Sequence, residues 1–202
     1  MRDRALNFAC LKNRYFALRH GHSQANEQSI IVSDPGLGTK SYGLSDLGVE
    51  QVRALVEQLP DTFDGQLKII SSDFLRARES AKIIADSLEV LTPVTYSEKL
   101  RERLFGDLEG RADDHYSQVW ERDSVDANHE SFGVEPASGV LDRAVELIEK
   151  LEWQLSGSVI LLVAHGDVLQ LLQCAFQSRP AAAHRQLDPL KVAEVRELSP
   201  SH

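Results

Sequence analysis

Apolar and polar positions along this chain follow two alternating periods. Tyr15, Phe16, Ala17 and Leu18 form a short aromatic and apolar run, which predicts a buried strand ending where Arg19 and His20 begin. Val52, Leu55, Val56 and Leu59 then fall at i, i+3, i+4 and i+7, the signature of a helix with one buried face, and Ser45 can cap it. Leu67 to Ser71 reads as a second strand. A second helix follows, with its stripe at Phe74, Ala77, Ala81, Ile84 and Leu88 and with Ser72 or Asp73 as its cap. Val94 to Tyr96 is a short third strand. Leu141, Ala144, Val145, Ile148, Leu151 and Leu155 mark a long amphipathic helix that Ser138 can cap. The most apolar strand-like run, Ser158 to Ala164, ends at His165 and Gly166, so it repeats the grammar of the opening. The helix expected from Asp167 to Phe176 is apolar nearly all round, as a covered helix would be, and Val192 to Leu198 adds an edge strand. The alternation predicts an α/β fold with a largely parallel sheet, in which ligands bind where the strands end.

Two stretches break the pattern. Ser29 to Gly43 carries Pro35, Gly36, Gly38 and Gly43 and has the length of a loop that covers a substrate. Its GLGTKS string lacks a glycine directly before Lys40 and does not join a strand to a helix, which argues against a phosphate-binding P-loop. Arg111 to Glu135 holds seven carboxylates against two arginines, and Tyr116, Val119 and Trp120 predict one short helix inside it. There Tyr116 and Trp120 read as packing residues.

A chain of 202 residues, 42% hydrophobic and 26% charged, is consistent with a single domain over 1–202, its motif-bearing core at about 13–198 and an N-terminal extension at 1–12. The formal charge of −9 disfavours nucleic acid or an anionic membrane as a partner, so any bound anion must be held by a local cluster of cations. Cys10 and Cys174 read as reduced thiols, no apolar run reaches membrane-spanning length, and the start has no secretory core. A cytoplasmic location is expected, although basic residues near the start leave room for a transit peptide. The oligomeric state stays open, a homodimer included.

Two histidines set directly after two buried strands, with Arg19 and Arg76 at further junctions, can line one anionic pocket. Arg76 also falls near a helix start, where free N–H groups favour anions. A phosphoryl group suits this set: arginine grips two oxygens at once, and a neutral imidazole can attack phosphorus without a metal or other cofactor. Glu102, between Arg101 and Arg103, can protonate the leaving oxygen. Against this stand plainer readings: a structural histidine after a strand, an ion pair of Arg76 with Asp73, and a solvated Glu102. His22, His115, His129, His184 and His202 have no partners at metal-ligand spacing. GHSQA, at Gly21 to Ala25, nearly matches a serine-hydrolase elbow, with Ser23 as nucleophile, but Ala25 replaces the last glycine and no preceding strand offers an oxyanion loop.

The ordered motifs RHG, SSDFLRARESA, LRERLFGDLEG and VAHG together resemble the histidine phosphatase, or phosphoglycerate mutase-like, superfamily across about Tyr15 to Phe176. The resemblance implies a three-layer α/β/α sandwich, with 29–43 and 111–135 as pocket walls. It also implies that His20 accepts the phosphoryl group, that Arg19, Arg76 and His165 bind it, that Asn26 adds a hydrogen bond and that Glu102 is the acid and base. Ser23 either caps the first helix or touches phosphate. His22 stands where mutases of that family commonly have glutamate, and Asp167 where a second glycine is common; Asp167 is expected to cap the next helix. The acidic wall favours hydrolysis of a small monophosphate over mutase action on an anionic phosphoglycerate. A silent binding protein on the same fold is the remaining alternative.

Overall fold

The computed structural model describes residues 6–59, 63 and 66–200. The expectations that concern residues outside these, His202 among them, fall beyond the described residues. Five strands form one sheet in the order β3 (Thr95–Tyr96), β2 (Lys68–Ser71), β4 (Val159–Ala164), β1 (Arg14–Arg19), β5 (Val195–Leu198). The first four run parallel, and β5 pairs antiparallel with the edge of β1, from Tyr15 opposite Leu198 to Leu18 opposite Val195.

The side chains of β1 and β4 are buried on both sides of the sheet, which explains their unbroken apolar runs. Tyr15 and Ala17, with Ile160 and Leu162, pack toward α6 (Ala137–Gln154) and α7 (Gly166–Phe176), against Ala144, Ile148, Leu169 and Leu172. Their neighbours Phe16, Leu18, Leu161 and Val163 turn to the opposite face, onto Val52 of α3 (Asp46–Val56) and Ala77, Ala81 and Ile84 of α4 (Leu75–Ser87). The period of two along each strand thus divides one apolar run between two helical layers, and the three-layer α/β/α sandwich follows. A smaller apolar group, Ile31, Phe105, Leu108, Val119 and Val134, lies apart from the sheet and binds the two irregular stretches to each other.

Helix starts differ from the pattern in two places. Ser45 caps α3 as expected, accepting from Gly48 N. Helix α4, however, starts at Leu75 with Phe74 at its cap position and no side-chain cap, because Asp73 is committed to Arg101 at 2.6 Å; Ser72 Oγ instead accepts from Phe74 N at 3.2 Å. Helix α6 starts after Pro136, whose fixed φ suits that position, while Ser138 donates to Asn128 Oδ1. The short helix α1 (Gln24–Glu27) follows β1, the covering loop 29–43 contains one helical turn, α2 (Pro35–Gly38), and the acidic stretch carries α5 (Tyr116–Asp123).

Candidate active site

The carboxyl ends of β1, β2 and β4 lie side by side, and the chain leaving two of them is tied to the third. His20 N donates to Ala164 O at 3.1 Å, and Ser72 N donates to Val163 O at 2.8 Å. Helix α3 is pressed onto the turn that follows His20: a Cβ on Gly21 would stand 2.7 Å from Gly48 O, and one on Gly48 only 1.9 Å from His22 O. Glycine at both positions is therefore a requirement of close approach.

His20 is buried, and its Nδ1 lies 2.7 Å from Gly21 O. A carbonyl only accepts, so Nδ1 carries the hydrogen and Nε2 presents a lone pair, to which Arg76 Nε donates at 3.1 Å. Burial, then the charges of Arg76 and Arg19, hold the imidazole well below its ordinary pKa, and it is neutral near pH 7. His165 is held neutral in the same way, with its ring 5.2 Å from that of His20.

Around these rings the donors outnumber the acceptors. Arg76 donates through one amino nitrogen to Val32 O at 3.0 Å, and Arg19 donates to Leu190 O at 3.0 Å. Arg19 Nε, the other amino nitrogen of Arg76 and His165 Nδ1 are all buried without a partner among the described residues. Unpaired buried polar groups carry a desolvation cost, and two guanidinium N–H donors with an open imidazole nitrogen beside a neutral His20 form a receptor for an oxyanion. Arg76 stands in the first turn of α4, so the helix dipole adds to its charge. The sequence alternative of an Arg76–Asp73 pair does not form, since Arg101 occupies Asp73.

Glu102 comes from irregular chain and is positioned by two arginines. Arg143 donates to Lys99 O, to Glu102 O and to both carboxylate oxygens of Glu135, which fixes the backbone of the segment. Glu102 Oε1 accepts from Arg103 N at 3.0 Å, and Oε2 stands 3.9 Å from His165 Nδ1. Burial and, after it, the charge of Asp167 push its pKa up to about 7, while Arg76 pulls the other way. A carboxyl titrating there can give and take a proton at neutral pH.

A cavity of about 340 Å³ joins Arg19, His20, Arg76 and Glu102 to Tyr116, Trp120, Asp167 and Arg185. Asn26 and Ser23 also line it. Ser23 caps the short helix Gln24–Glu27, and its hydroxyl donates to Asn26 Oδ1 at 2.9 Å, which leaves the Asn26 amide hydrogens for a ligand. His22 lies to the side, its Nδ1 at 2.9 Å from Ser45 Oγ.

Two expectations need correction here. Asp167 does not cap α7; His165 occupies the cap position, and the Asp167 carboxylate turns into the pocket wall to accept from Trp120 Nε1 at 3.0 Å. Trp120 and Tyr116 are cavity-lining residues, their rings stacked at 5.3 Å. His184 is fully buried in a polar cluster around Asp123. Sequence reasoning also passed over Arg103 and Arg185. Arg103 is fully buried and grips both oxygens of Asp123 at 2.6 and 2.8 Å, so it welds the acidic wall to the Glu102 segment. Arg185 stacks on Trp120 at 3.6 Å and lies 3.8 Å from Asp167. The alternation of arginine and glutamate at 101–103 was the available signal for the first; Arg185 carries none, since only the tertiary fold brings it to Trp120. Among the described residues, no group of three or more His, Cys, Asp or Glu is arranged to hold a metal ion.

Comparison with known proteins returns a family model described as the histidine phosphatase superfamily (branch 1), which matches residues 15–202. A 2,3-bisphosphoglycerate-dependent phosphoglycerate mutase of Methylocella silvestris is 31% identical over 163 residues, 77% of each chain. A probable phosphatase of Schizosaccharomyces pombe is 28% identical over 168 residues, covering 81% of this chain and 73% of its own. Among solved structures, a mycobacterial glucosyl-3-phosphoglycerate phosphatase in complex with VO3 superimposes with a TM-score of 0.77 at 27% identity, covering 92% of this chain and 90% of that one.

Proposed function

Since the chain belongs to the histidine phosphatase superfamily, branch 1, we propose that it hydrolyses a small phosphomonoester through a phosphohistidine on His20. The observation that carries this reading is the set of unpartnered buried donors from Arg19, Arg76 and His165 around a neutral His20 whose Nε2 holds a lone pair.

In the first step His20 Nε2 attacks phosphorus, which takes the place of the Arg76 N–H at that nitrogen. The P–O bond to the leaving group breaks, and protonated Glu102 gives its proton to the departing oxygen. In the second step Glu102 takes a proton from water, the resulting hydroxide attacks phosphorus, the P–N bond breaks and inorganic phosphate leaves. Arg19, Arg76 and His165 balance the oxyanion throughout, and Asn26 adds an amide hydrogen bond. These groups supply charge stabilisation and positioning, the larger part of phosphoryl-transfer catalysis. Every group in this cycle is a side chain of the protein, so treatment with EDTA is expected to leave turnover unchanged.

The names of the relatives are divided between mutase and phosphatase, and the charge of the wall favours hydrolysis. Beyond the phosphoryl end the cavity presents Asp113 and Asp167, and its cation there, Arg185, lies beside Asp167. A leaving group with its own carboxylate or phosphate meets like charge at this end; a hydroxylated, uncharged one meets acceptors. The serine-hydrolase alternative loses support because the Ser23 hydroxyl is engaged with Asn26 at both its donor and its acceptor. A small phosphorylated metabolite as partner, and a reducing compartment such as the cytoplasm, accord with the enclosed pocket and with two free cysteines.

The test is a panel of sugar phosphates, nucleoside monophosphates, phosphopeptides and phosphoglycerates with wild type and His20→Ala side by side, together with trapping of acid-labile phosphate on the protein. Hydrolysis that depends on His20 is expected. Unaltered turnover in His20→Ala, or phosphate released without a labile phosphoprotein, would overturn the mechanism. Efficient interconversion of phosphoglycerates without release of phosphate would establish the mutase instead.

A further inference from the structure

We infer that the Ser72 hydroxyl sets the tautomer of His165, donating its hydrogen to Nε2 so that Nδ1 carries the N–H that meets a phosphoryl oxygen. Ser72 is then a positioning residue for the reaction. The last part of this inference rests on the phosphoryl-transfer reading above.

Ser72 Oγ lies 2.9 Å from His165 Nε2, and both residues are fully buried. Oγ already accepts from Phe74 N at 3.2 Å, the backbone of Ser72 is anchored to Val163 O, and the Phe74 ring packs edge-on against the imidazole at 5.1 Å. The hydroxyl hydrogen has no other acceptor among the described residues, so it points to Nε2. His165 is neutral, so a lone pair on Nε2 puts its one ring hydrogen on Nδ1. That atom has no hydrogen-bond partner among the described residues, and it stands 3.9 Å from Oε2 of Glu102, a residue that lines the cavity. The opposite tautomer would leave the Ser72 hydrogen unbonded in the interior. It would also present a lone pair from Nδ1 to an anionic substrate. Both faults disappear when the hydroxyl donates.

His20 makes the contrast visible. Its tautomer is set by a backbone carbonyl that no side-chain substitution removes, whereas that of His165 depends on a single serine.

The measurement is a long-range proton–nitrogen correlation spectrum of the protein labelled with ¹⁵N-histidine, with His165 assigned by loss of its signals in His165→Gln. The wild type is expected to show the hydrogen on Nδ1. In Ser72→Ala the hydrogen should move wholly or partly to Nε2, kcat/KM for p-nitrophenyl phosphate should fall about 10- to 100-fold, and inhibition by vanadate should weaken in parallel. Ser71→Ala is the control, because it removes a buried hydroxyl that donates to Ser72 O at 2.8 Å and should leave tautomer and turnover unchanged. A hydrogen on Nε2 in the wild type, or a Ser72→Ala variant with unchanged tautomer and kcat/KM, overturns the inference. If the wild type hydrolyses no phosphomonoester, the proposed function fails, while the spectrum still decides the role of Ser72 in setting the ring.

Discussion

The two ends of the cavity are built by different means. At the phosphoryl end, His20 and His165 follow β1 and β4 directly and Arg76 stands in the first turn of the helix after β2, so their positions derive from the sheet register. At the opposite end, Trp120, Asp167 and Arg185 come from separate parts of the chain and are joined by a hydrogen bond and an ion pair, while the Arg103–Asp123 pair ties the same wall to the Glu102 segment. The first end is precise because hydrogen-bonded strands leave little freedom. The second is precise only while Arg103, Asp123 and Arg143 remain paired. On the proposed mechanism, the chemistry common to all phosphomonoesters falls at the first end and on Glu102, and discrimination among leaving groups at the second.

Five substitutions probe this division, the largest effect first. His20→Ala should lower kcat on the order of 10⁴- to 10⁶-fold, the scale on which loss of a nucleophile silences a covalent catalyst, as steady-state assay would show. Equal losses from a wall substitution would erase the distinction. Glu102→Gln should cost about 10²- to 10⁴-fold on alkyl phosphates, whose leaving oxygen needs a proton. With p-nitrophenyl phosphate the first step should survive and the second should stall, so labile phosphoprotein should accumulate in rapid-quench experiments.

Arg103→Met should destabilise the protein by about 3–5 kcal/mol in denaturant titration, because it strands the buried carboxylate of Asp123. Adding Asp123→Leu should recover part of that loss. Recovery of stability without recovery of activity would show that the pair serves to place Glu102. The smallest effect concerns pH. Glu102 must be protonated to act first, so kcat/KM for an alkyl phosphate should decline as pH rises through about 7. Asp167 raises that value by like charge, and Asp167→Asn should move the alkaline limb to lower pH. The same variant frees Arg185 and should raise kcat/KM for 3-phosphoglycerate relative to glycerol phosphate.

The strand ends were legible because period-two burial and the recurrence of histidine after an apolar run are local signals. Arg19, His20, Arg76 and His165 could therefore be named together, and the two helical layers followed from the same alternation. The wall was less legible. Tyr116 and Trp120 look like packing residues in sequence, and they do pack, but against a cavity. Asp167 looked like a cap because it begins a helix, yet an indole N–H 47 positions earlier in the chain competes successfully for its carboxylate. Arg103 gave no sign of complete burial, since burial of a guanidinium depends on carboxylates that only tertiary contacts supply. The misplaced caps at Ser72 and Ser138 have a related cause: each hydroxyl was drawn to a side chain distant in sequence, His165 in one case and Asn128 in the other.

The central strand β4 has a consequence for how such a molecule can change over generations. Its last two carbonyls anchor the chain beyond both neighbouring strands, so it acts as a common datum for His20, the Ser72 hydroxyl and His165. Loops can be exchanged at the far end of the cavity without disturbing that datum, and a new substrate range can arise while the reacting geometry stays in register. A shift of β4 itself would displace all of these groups together, and no single compensating substitution elsewhere could restore them.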